Sequence, residues 1–210
     1  MYAIDSTDGG LLWRTSVGGT VEGSSPTVVD DRIYVGVAGN ETVVAMNASS
    51  QKVVWNASLG ARVYGSPAVD DGTVYVGDDT GTVHALNAAT GNTTWTKTPG
   101  GEIVSSIGAA NDTVIVTSTD GTANAYNATS GDLYWSYDVG VPITSSPAIL
   151  NATVYVGVDD PTGDEVIALG GDVAAPSMIR FAGAIERRNR PIQTGKRTTG
   201  AVGVDGVVPR

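Results

Sequence analysis

Cysteine is absent from this chain of 210 residues, and phenylalanine and histidine occur once each. Without cysteine there are no disulfides, no zinc–thiolate sites and no thiol nucleophile. No run of residues approaches the roughly 20 consecutive apolar residues of a membrane-spanning helix. The one histidine, His84, has no serine–histidine–aspartate arrangement around it in the sequence, and Val44 and Asn124 occupy the matching repeat positions. We therefore predict that His84 is an exposed strand residue and neither a ligand nor a base.

Basic residues are scarce between residues 1 and 171, which contain 19 acidic and only 5 basic residues. Residues 172–210 reverse the balance, with 3 acidic and 7 basic side chains. This change of sign predicts a boundary near residue 171, with a basic, disordered tail at 172–210. A basic arm that binds nucleic acid or an acidic partner, and a product of a shifted reading frame, are the alternatives for this tail. The acidic part disfavours nucleic acid and anionic lipid as partners. It resembles the surfaces of proteins from salt-loving archaea, and an ordinary acidic secreted protein is the alternative.

Tryptophan recurs on a fixed period. The separations between Trp13, Trp55, Trp95 and Trp135 are 42, 40 and 40 residues, and each indole ends a segment that contains a turn. Ser-Pro pairs and Tyr-Val-Gly triplets repeat with the same spacing, and one unit has Ser106-Ile107 and Ile115-Val116-Thr117 in their places. A period near 40 indicates stacked copies of one supersecondary unit.

Each unit reads as four short strands separated by turns. In residues 65–97 the strands are predicted at 65–69, 73–77, 82–86 and 93–97, rich in β-branched residues, with Asp, Asn and Gly between them. Four antiparallel strands every 40 residues is the period of a propeller blade. We therefore predict an all-β propeller, with small residues such as Ser25, Ser66 and Ser106 leading the innermost strands.

The segment Ala85-Leu86-Asn87-Ala88-Ala89-Thr90-Gly91-Asn92-Thr93-Thr94-Trp95 resembles the tryptophan-docking motif of PQQ-type β-propeller repeats. The segments that end at Trp13 and Trp135 match nearly as well, and the one that ends at Trp55 carries Gln51 in place of the glycine. The resemblance covers residues 1–170. It implies that the four indoles wedge between blades as structural docking residues, together with Gly9, Gly91 and Gly131.

The repeat count falls short of a whole ring. Residues 1–19 supply the third and fourth strands of one blade, three complete blades follow, and residues 141–170 supply three more strands. Family propellers have seven or eight blades, so we expect a partial chain of about four blades. A closed four-bladed ring, in which residues 1–19 complete the last blade, is the alternative. No signal peptide is visible, since the segment starting at Met1 already reads as repeat.

Paired aspartates recur at the predicted hairpin turns. The calcium candidates are Asp159, Asp160, Asp164 and Glu165, because carboxylates at alternating positions suit this ion. Their spacing does not match a twelve-residue calcium loop, and turn formation is the competing explanation. We predict no bound metal and no cofactor.

Asn-x-Ser/Thr glycosylation acceptors are frequent: seven of the ten asparagines begin one. They predict an exported glycoprotein located outside the cell or on its surface. The candidate sites are Asn40, Asn47, Asn56, Asn92, Asn111, Asn127 and Asn151.

Three functions fit this sequence. The first is a non-enzymatic scaffold that presents loops, at a propeller face or edge, to a protein partner, with self-association through open blade edges. The second is a fragment of a PQQ- and calcium-dependent quinoprotein dehydrogenase, and the third is the sensor domain of a larger receptor. The absence of cysteine and the commitment of all four tryptophans to docking motifs favour the first and predict that the chain is not an enzyme.

Overall fold

A computed structural model describes residues 1–150, 153–160 and 163–170, with the backbone alone at 159–160, 163–165 and 170. Seventeen strands lie in this described part, with one 3-10 turn at Ala38–Asn40. They form five antiparallel sheets, each made of strands that are consecutive in the chain. The predicted all-β propeller architecture is confirmed.

Three of the sheets are complete four-stranded blades in which neighbours in sequence are neighbours in the sheet. The predicted strands at 73–77 and 93–97 match the structure residue for residue, and the other two shift by one to three residues. The strands are β3 (Thr27–Val29), β4 (Arg32–Val37), β5 (Thr42–Asn47) and β6 (Val53–Ser58) in blade 1; β7 (Ala68–Asp70), β8 (Thr73–Gly77), β9 (Val83–Asn87) and β10 (Thr93–Lys97) in blade 2; β11 (Gly108–Ala110), β12 (Thr113–Thr117), β13 (Thr122–Asn127) and β14 (Leu133–Asp138) in blade 3.

Two incomplete sheets flank the complete blades. The half-blade at the start of the chain pairs β1 (Tyr2–Ile4) with β2 (Leu11–Arg14), and the terminal blade contains β15 (Ala148–Leu150), β16 (Thr153–Asp160) and β17 (Gly163–Gly170). This division into two, three times four and three strands is the predicted one. Within the described residues, no ladder joins the half-blade to the terminal blade, so these sheets do not form the one closed blade of the four-bladed alternative.

The core is divided among the gaps between successive sheets. One apolar cluster fills each gap, from the half-blade and blade 1 to blade 3 and the terminal blade. Alternate residues of a strand face opposite neighbours: Val83 and Ala85 of β9 pack toward blade 3, and Leu86 packs toward blade 1. Because a strand alternates its faces, middle strands covered on both sides are apolar along their whole length.

The strand β16 runs further than the sequence predicts. Asp159 and Asp160 were expected in a turn, whereas their backbone belongs to β16 and pairs with Asp164 and Gly163 of β17. The expectation of a turn at Asp159 and Asp160 is therefore wrong, because the strand pairing continues to the end of β16. The side chains of the calcium candidates lie outside the described residues, as do Asn151 and the predicted tail 172–210.

Candidate functional site

The indoles of the complete blades reach across to the following blade. Trp55 and Trp95 are buried, and each donates its Nε1–H to a backbone carbonyl 33 residues further on: Trp55 to Ala88 at 3.0 Å and Trp95 to Ala128 at 2.9 Å. The ring also packs in the apolar cluster of that gap. Burying an indole while satisfying its only donor joins two sheets without leaving an unpaired polar group.

A tyrosine from the second strand shares each of these carbonyls. The hydroxyl of Tyr34 donates to Ala88 at 3.3 Å, and that of Tyr75 donates to Ala128 at 3.1 Å. The tyrosine and tryptophan rings lie 5.9 Å apart in both blades. Burial raises the pKa of Tyr75, which keeps its hydroxyl protonated as a donor. The repeated Tyr-Val-Gly motif thus supplies a second hydrogen bond at the same acceptor.

Two of the three docking glycines lie against the indole of the preceding blade. Gly91 has φ +75°, and a Cβ there would come within 2.7 Å of the Trp55 ring. Gly131 has φ +72°, and a Cβ there would come within 2.8 Å of Trp95. Gly9 has the same backbone conformation, with φ +75°, and no atom of the described part of the chain lies within 4 Å of its Cβ position. At Gly91 and Gly131 the backbone conformation favours glycine, which Gln51 shows is not obligatory at this repeat position, and the close approach of the ring excludes a Cβ.

Two indoles occupy less buried positions. Trp13 is half-buried and, like Met1 and Ala48, packs against the apolar cluster in the gap between the half-blade and blade 1. Within the described residues its Nε1–H has no acceptor, unlike those of Trp55 and Trp95. Trp135 is half-buried against the terminal blade. All four indoles lie in gaps between sheets.

Inner-strand serines link the blades near the centre of the fold. The amide of Ser25 donates to the Ser66 hydroxyl at 2.8 Å, that of Ser66 to Ser106 at 2.9 Å, and that of Ser106 to Ser146 at 3.0 Å. The sequence shows these serines at a fixed spacing, but their role as links was not predicted. The signal was a hydroxyl repeating two residues before each inner strand.

His84 is buried, which overturns the prediction of an exposed residue. Only 8% of it is accessible, and its Nε2 lies 2.7 Å from the carboxylate of Asp78, which is 1% accessible. Burial raises the pKa of Asp78, but hydrogen bonds from His84, Thr80 and the Thr82 amide outweigh it and keep this pKa below its ordinary value. The prediction failed because β9 is covered on both faces. In blade 3, Ser118 holds the repeat position of Asp78 and Asn124 that of His84, so this pair is not repeated there.

An aspartate in blade 3 ties the loop between β12 and β13 to the incoming connector. Asp120 accepts hydrogen bonds from the Gly101 amide at 2.9 Å, the Ser118 hydroxyl at 2.6 Å and the Thr122 amide at 3.0 Å. Partial burial raises its pKa, but these bonds prevail and lower the pKa to about 2. In blade 2, Asp79 binds the Arg62 amide at 3.0 Å in the same way. These carboxylates are held in loop contacts.

Metal-ligating side chains do not cluster in the described residues. No group of three or more His, Asp or Glu side chains comes together there in an arrangement that suits a metal ion. Asp31, one of the paired aspartates, is exposed and accepts hydrogen bonds from Ser49 and Asn47, which lower its pKa.

The Asn acceptors divide by the environment of Nδ2, the atom that carries a glycan. In Asn40 it donates to the Gly18 carbonyl at 2.8 Å, in Asn47 to Asp31, and in Asn127 to the Tyr134 hydroxyl. The other three described acceptors are exposed, and no hydrogen bond occupies their Nδ2 within the described residues. These are Asn56, Asn92 and Asn111.

The fourth strand of each complete blade is its outer edge, and in blades 1 and 3 it exposes apolar side chains. Val53 and Val54 of β6 are 52% and 43% accessible, and Leu133 and Tyr134 of β14 are 55% and 40% accessible. Thr93 occupies the matching position in β10. An outer strand leaves one row of backbone groups without a ladder partner, so these edges combine open hydrogen-bonding groups with apolar surface.

In the described part of the chain, no helix has the length and hydropathy needed to span a membrane.

Solved structures share this architecture at low sequence identity. BamB from Moraxella catarrhalis matches with a TM-score of 0.63 and 18% identity over 75% of this chain and 52% of that one. A computationally designed protein, Ika4, matches with a TM-score of 0.63 and 17% identity over 74% of this chain and 96% of that one. Quinohemoprotein alcohol dehydrogenase from Comamonas testosteroni gives a TM-score of 0.60 and 20% identity over 72% and 33%. These similarities establish the fold.

The family comparison covers most of the sequence. No protein of curated function matches the chain. This chain spans about half of the BamB structure it resembles. The family model described as outer membrane protein assembly factor BamB matches residues 1–108 and 79–174, which together include every sheet. The chain therefore belongs to this family of PQQ-type β-propeller proteins.

Proposed function

We propose that this chain is a non-enzymatic propeller scaffold that binds a protein partner along the outer strands of its blades. The observation that carries the proposal is the pairing of an open strand edge with exposed apolar residues, Val53 and Val54 in β6 and Leu133 and Tyr134 in β14. An extended segment of a partner can add to such an edge as a further strand. Its backbone supplies hydrogen bonds, and the exposed apolar side chains supply selectivity.

The indoles support a scaffold role because their polar atoms are used within the fold. Trp55 and Trp95 donate their Nε1–H groups, the only donors of the indoles, to the carbonyls of Ala88 and Ala128. An indole fixed between two sheets is not available as the floor of a cofactor site. BamB, which is similar in fold, is described as an outer membrane protein assembly factor. We propose a role in protein binding for this chain as well.

The charge of the chain specifies the partner further. Its formal net charge is −10, and the acidic residues concentrate before residue 171. A partner strand that alternates apolar and basic side chains satisfies both the apolar edge and the negative surface. Nucleic acid and anionic membrane are repelled by the same field.

Site-specific photo-cross-linking tests the proposed edge. A photoreactive amino acid is placed at Leu133 or Val53 of the full chain in the cells that produce it, with Thr93 of β10 as the matched control. We expect a protein adduct of one discrete mass from Leu133 or Val53, lost when Tyr134→Asp or Val54→Asp is added. Adducts of equal yield from Thr93, or none from Leu133 and Val53, would contradict the proposal.

Quinoprotein dehydrogenase activity is the second candidate, favoured by the similarity to quinohemoprotein alcohol dehydrogenase. It is tested by adding pyrroloquinoline quinone and calcium to the full chain and following dye reduction with alcohols and sugars. We expect no reduction above the rate of quinone alone. Turnover that requires both the chain and calcium would replace the scaffold proposal with the enzyme.

We also propose that the protein is exported, stands outside the cell or on its surface, and carries glycans. Asn56, Asn92 and Asn111 are exposed, and no hydrogen bond within the described part of the chain occupies their Nδ2, so they are the expected sites. Asn40, Asn47 and Asn127 use Nδ2 within the fold and serve as internal controls. Mass spectrometry of the native protein should find glycan on the first three and none on the three controls. No glycan on any of them would remove this support for export.

Adaptation to salt belongs to the same proposal. Closely spaced carboxylates repel one another at low ionic strength, and salt screens the repulsion. We expect the melting temperature to rise steadily between low and molar KCl. Greater stability at low salt would contradict a halophilic origin.

A further inference from the structure

A glycan acceptor lies within β6, the outer strand of blade 1 that exposes Val53 and Val54. It consists of Asn56, Ala57 and Ser58. Asn56 is exposed, and Ser58, whose hydroxyl completes the acceptor, is exposed as well. The acceptor therefore belongs to the same strand edge that the proposed function assigns to a protein partner.

The strand register places Asn56 beside Val53 on one side of blade 1. Val53 pairs with Met46 of β5, and Asn56 pairs with Val44, while Val54 is the extra residue of a bulge between them. Val44 and Met46 pack in one apolar cluster, so both point to the same side of the sheet. Residues paired across an antiparallel ladder share a side, so Val53 and Asn56 point there too. They are neighbours on that side, separated by two ladder positions, or about 7 Å.

A glycan at Asn56 is incompatible with strand addition to β6. A partner strand paired with this edge would bring the Cβ of one residue within about 5 Å of the Asn56 Cβ, where the sugar chain begins. N-linked glycans are bulky and hydrophilic, so the sugar would also cover the apolar surface of Val53. Open strand edges pair readily with other chains, and covering an edge prevents this.

The outer strand of blade 3, β14, presents its apolar pair without such an acceptor. Ser136 holds the repeat position of Asn56. Asn127, the acceptor at the turn before β14, donates its Nδ2 to the hydroxyl of Tyr134. The edge residue Tyr134 thus occupies the atom that would carry a glycan. Leu133 and Tyr134 stay exposed beside an edge that no glycan is expected to cover.

We propose that a glycan on Asn56 covers the β6 edge, so that among the complete blades the protein partner adds to β14 alone. The outer strand β10 has Thr93 and Thr94 in place of an apolar pair and offers no competing edge. This inference rests on the proposed edge binding and the proposed glycans. It assigns different roles to two strands that expose similar apolar residues: β6 is covered by sugar, and β14 binds the partner.

Photo-cross-linking of the native chain tests this assignment, with the photoreactive residue at Val53 and, as a reference, at Leu133. We expect an adduct from Leu133 and none from Val53. Asn56→Gln and Ser58→Ala each destroy the acceptor at a different residue, so each should produce a Val53 adduct of the same mass as the Leu133 adduct. Asn92→Gln removes the acceptor beside β10 and is the matched control, in which Val53 should stay without an adduct. Circular dichroism confirms that each variant is folded.

The outcomes separate this inference from the proposed function. A Val53 adduct from the chain with Asn56 intact, or mass spectrometry that finds no sugar on Asn56, would overturn the inference. So would a Val53 that reacts in neither acceptor variant while Leu133 does, or one that reacts equally in Asn92→Gln. All of these leave binding at β14 standing. If neither Leu133 nor Val53 gives an adduct in any variant, the proposed edge binding itself fails, and this inference fails with it.

Discussion

The same repeat motif is buried in the gaps between complete blades and more exposed at the half-blade. Between blades 1 and 2, Trp55 is buried, bonded to Ala88 and packed against Gly91. At the half-blade, Gly9 repeats the conformation of Gly91, and no ring of the described residues lies beside it. The same motif is therefore under different physical constraint in the two regions, and stability should depend on the neighbouring sheet more than on the motif.

Removing an indole should separate the two regions most clearly. Trp95→Ala loses a buried ring and leaves the Ala128 carbonyl with one donor fewer, so we expect a loss of about 3–5 kcal/mol in unfolding free energy. Trp13→Ala, at a half-buried ring without that bond, should cost about 1–2 kcal/mol. Urea unfolding followed by circular dichroism measures both. Equal losses would show that the end of the array is packed like its interior.

The buried pair in blade 2 gives the next largest effect. His84→Ala leaves the buried Asp78 carboxylate without its imidazole partner, and we expect a loss of about 3 kcal/mol by the same unfolding measurement. The double variant Asp78→Ser with His84→Asn copies the Ser118 and Asn124 of blade 3, and it should recover most of the stability. A single variant as stable as the wild type would mean that the pair contributes nothing.

Alanine at the docking glycines tests the contrast at single-methyl scale. Gly91→Ala places a methyl within 2.7 Å of the Trp55 ring in a left-handed backbone, and we expect a loss of about 2–3 kcal/mol. Gly9→Ala has the backbone strain alone and should cost about 1 kcal/mol. Differential scanning calorimetry compares the two. If the losses are equal, the close approach to the indole is not what selects glycine at residue 91.

Acid should weaken the hydrogen bonding of the connector between blades 2 and 3 more than that of the connector between the half-blade and blade 1. The pKa of Asp120 is lowered to about 2, so the stability it contributes is present above the unfolded value of about 3.9 and is lost as pH falls through 2. In the connector between the half-blade and blade 1, the side-chain amide of Asn40 donates to the Gly18 carbonyl, and neither group titrates in this range. Amide-exchange protection of Gly101 should therefore fall between pH 4 and 2 relative to Gly39. A parallel fall at both amides would contradict this assignment.

The repeat made the fold predictable, because turn residues, β-branched runs and tryptophans all kept one period. The same periodicity predicts that Gly91 and Trp95 stand at positions equivalent to Gly131 and Trp135. The burial of His84 could not be predicted in this way, since it comes from sheets on both sides and its partner Asp78 is present in one blade only. The serine links and the difference between free and occupied asparagines also depend on which atoms meet across a gap, which spacing does not reveal.

Exchange of the indole protons tests most directly the claim that tryptophans join blade to blade. Solution NMR of the full chain in deuterated buffer reports the Nε1 proton of each assigned ring. We predict slow exchange for Trp55 and Trp95, which donate to Ala88 and Ala128, and rapid exchange for Trp13, which has no acceptor within the described residues. Rapid exchange at Trp55 and Trp95, as fast as at Trp13, would contradict the account.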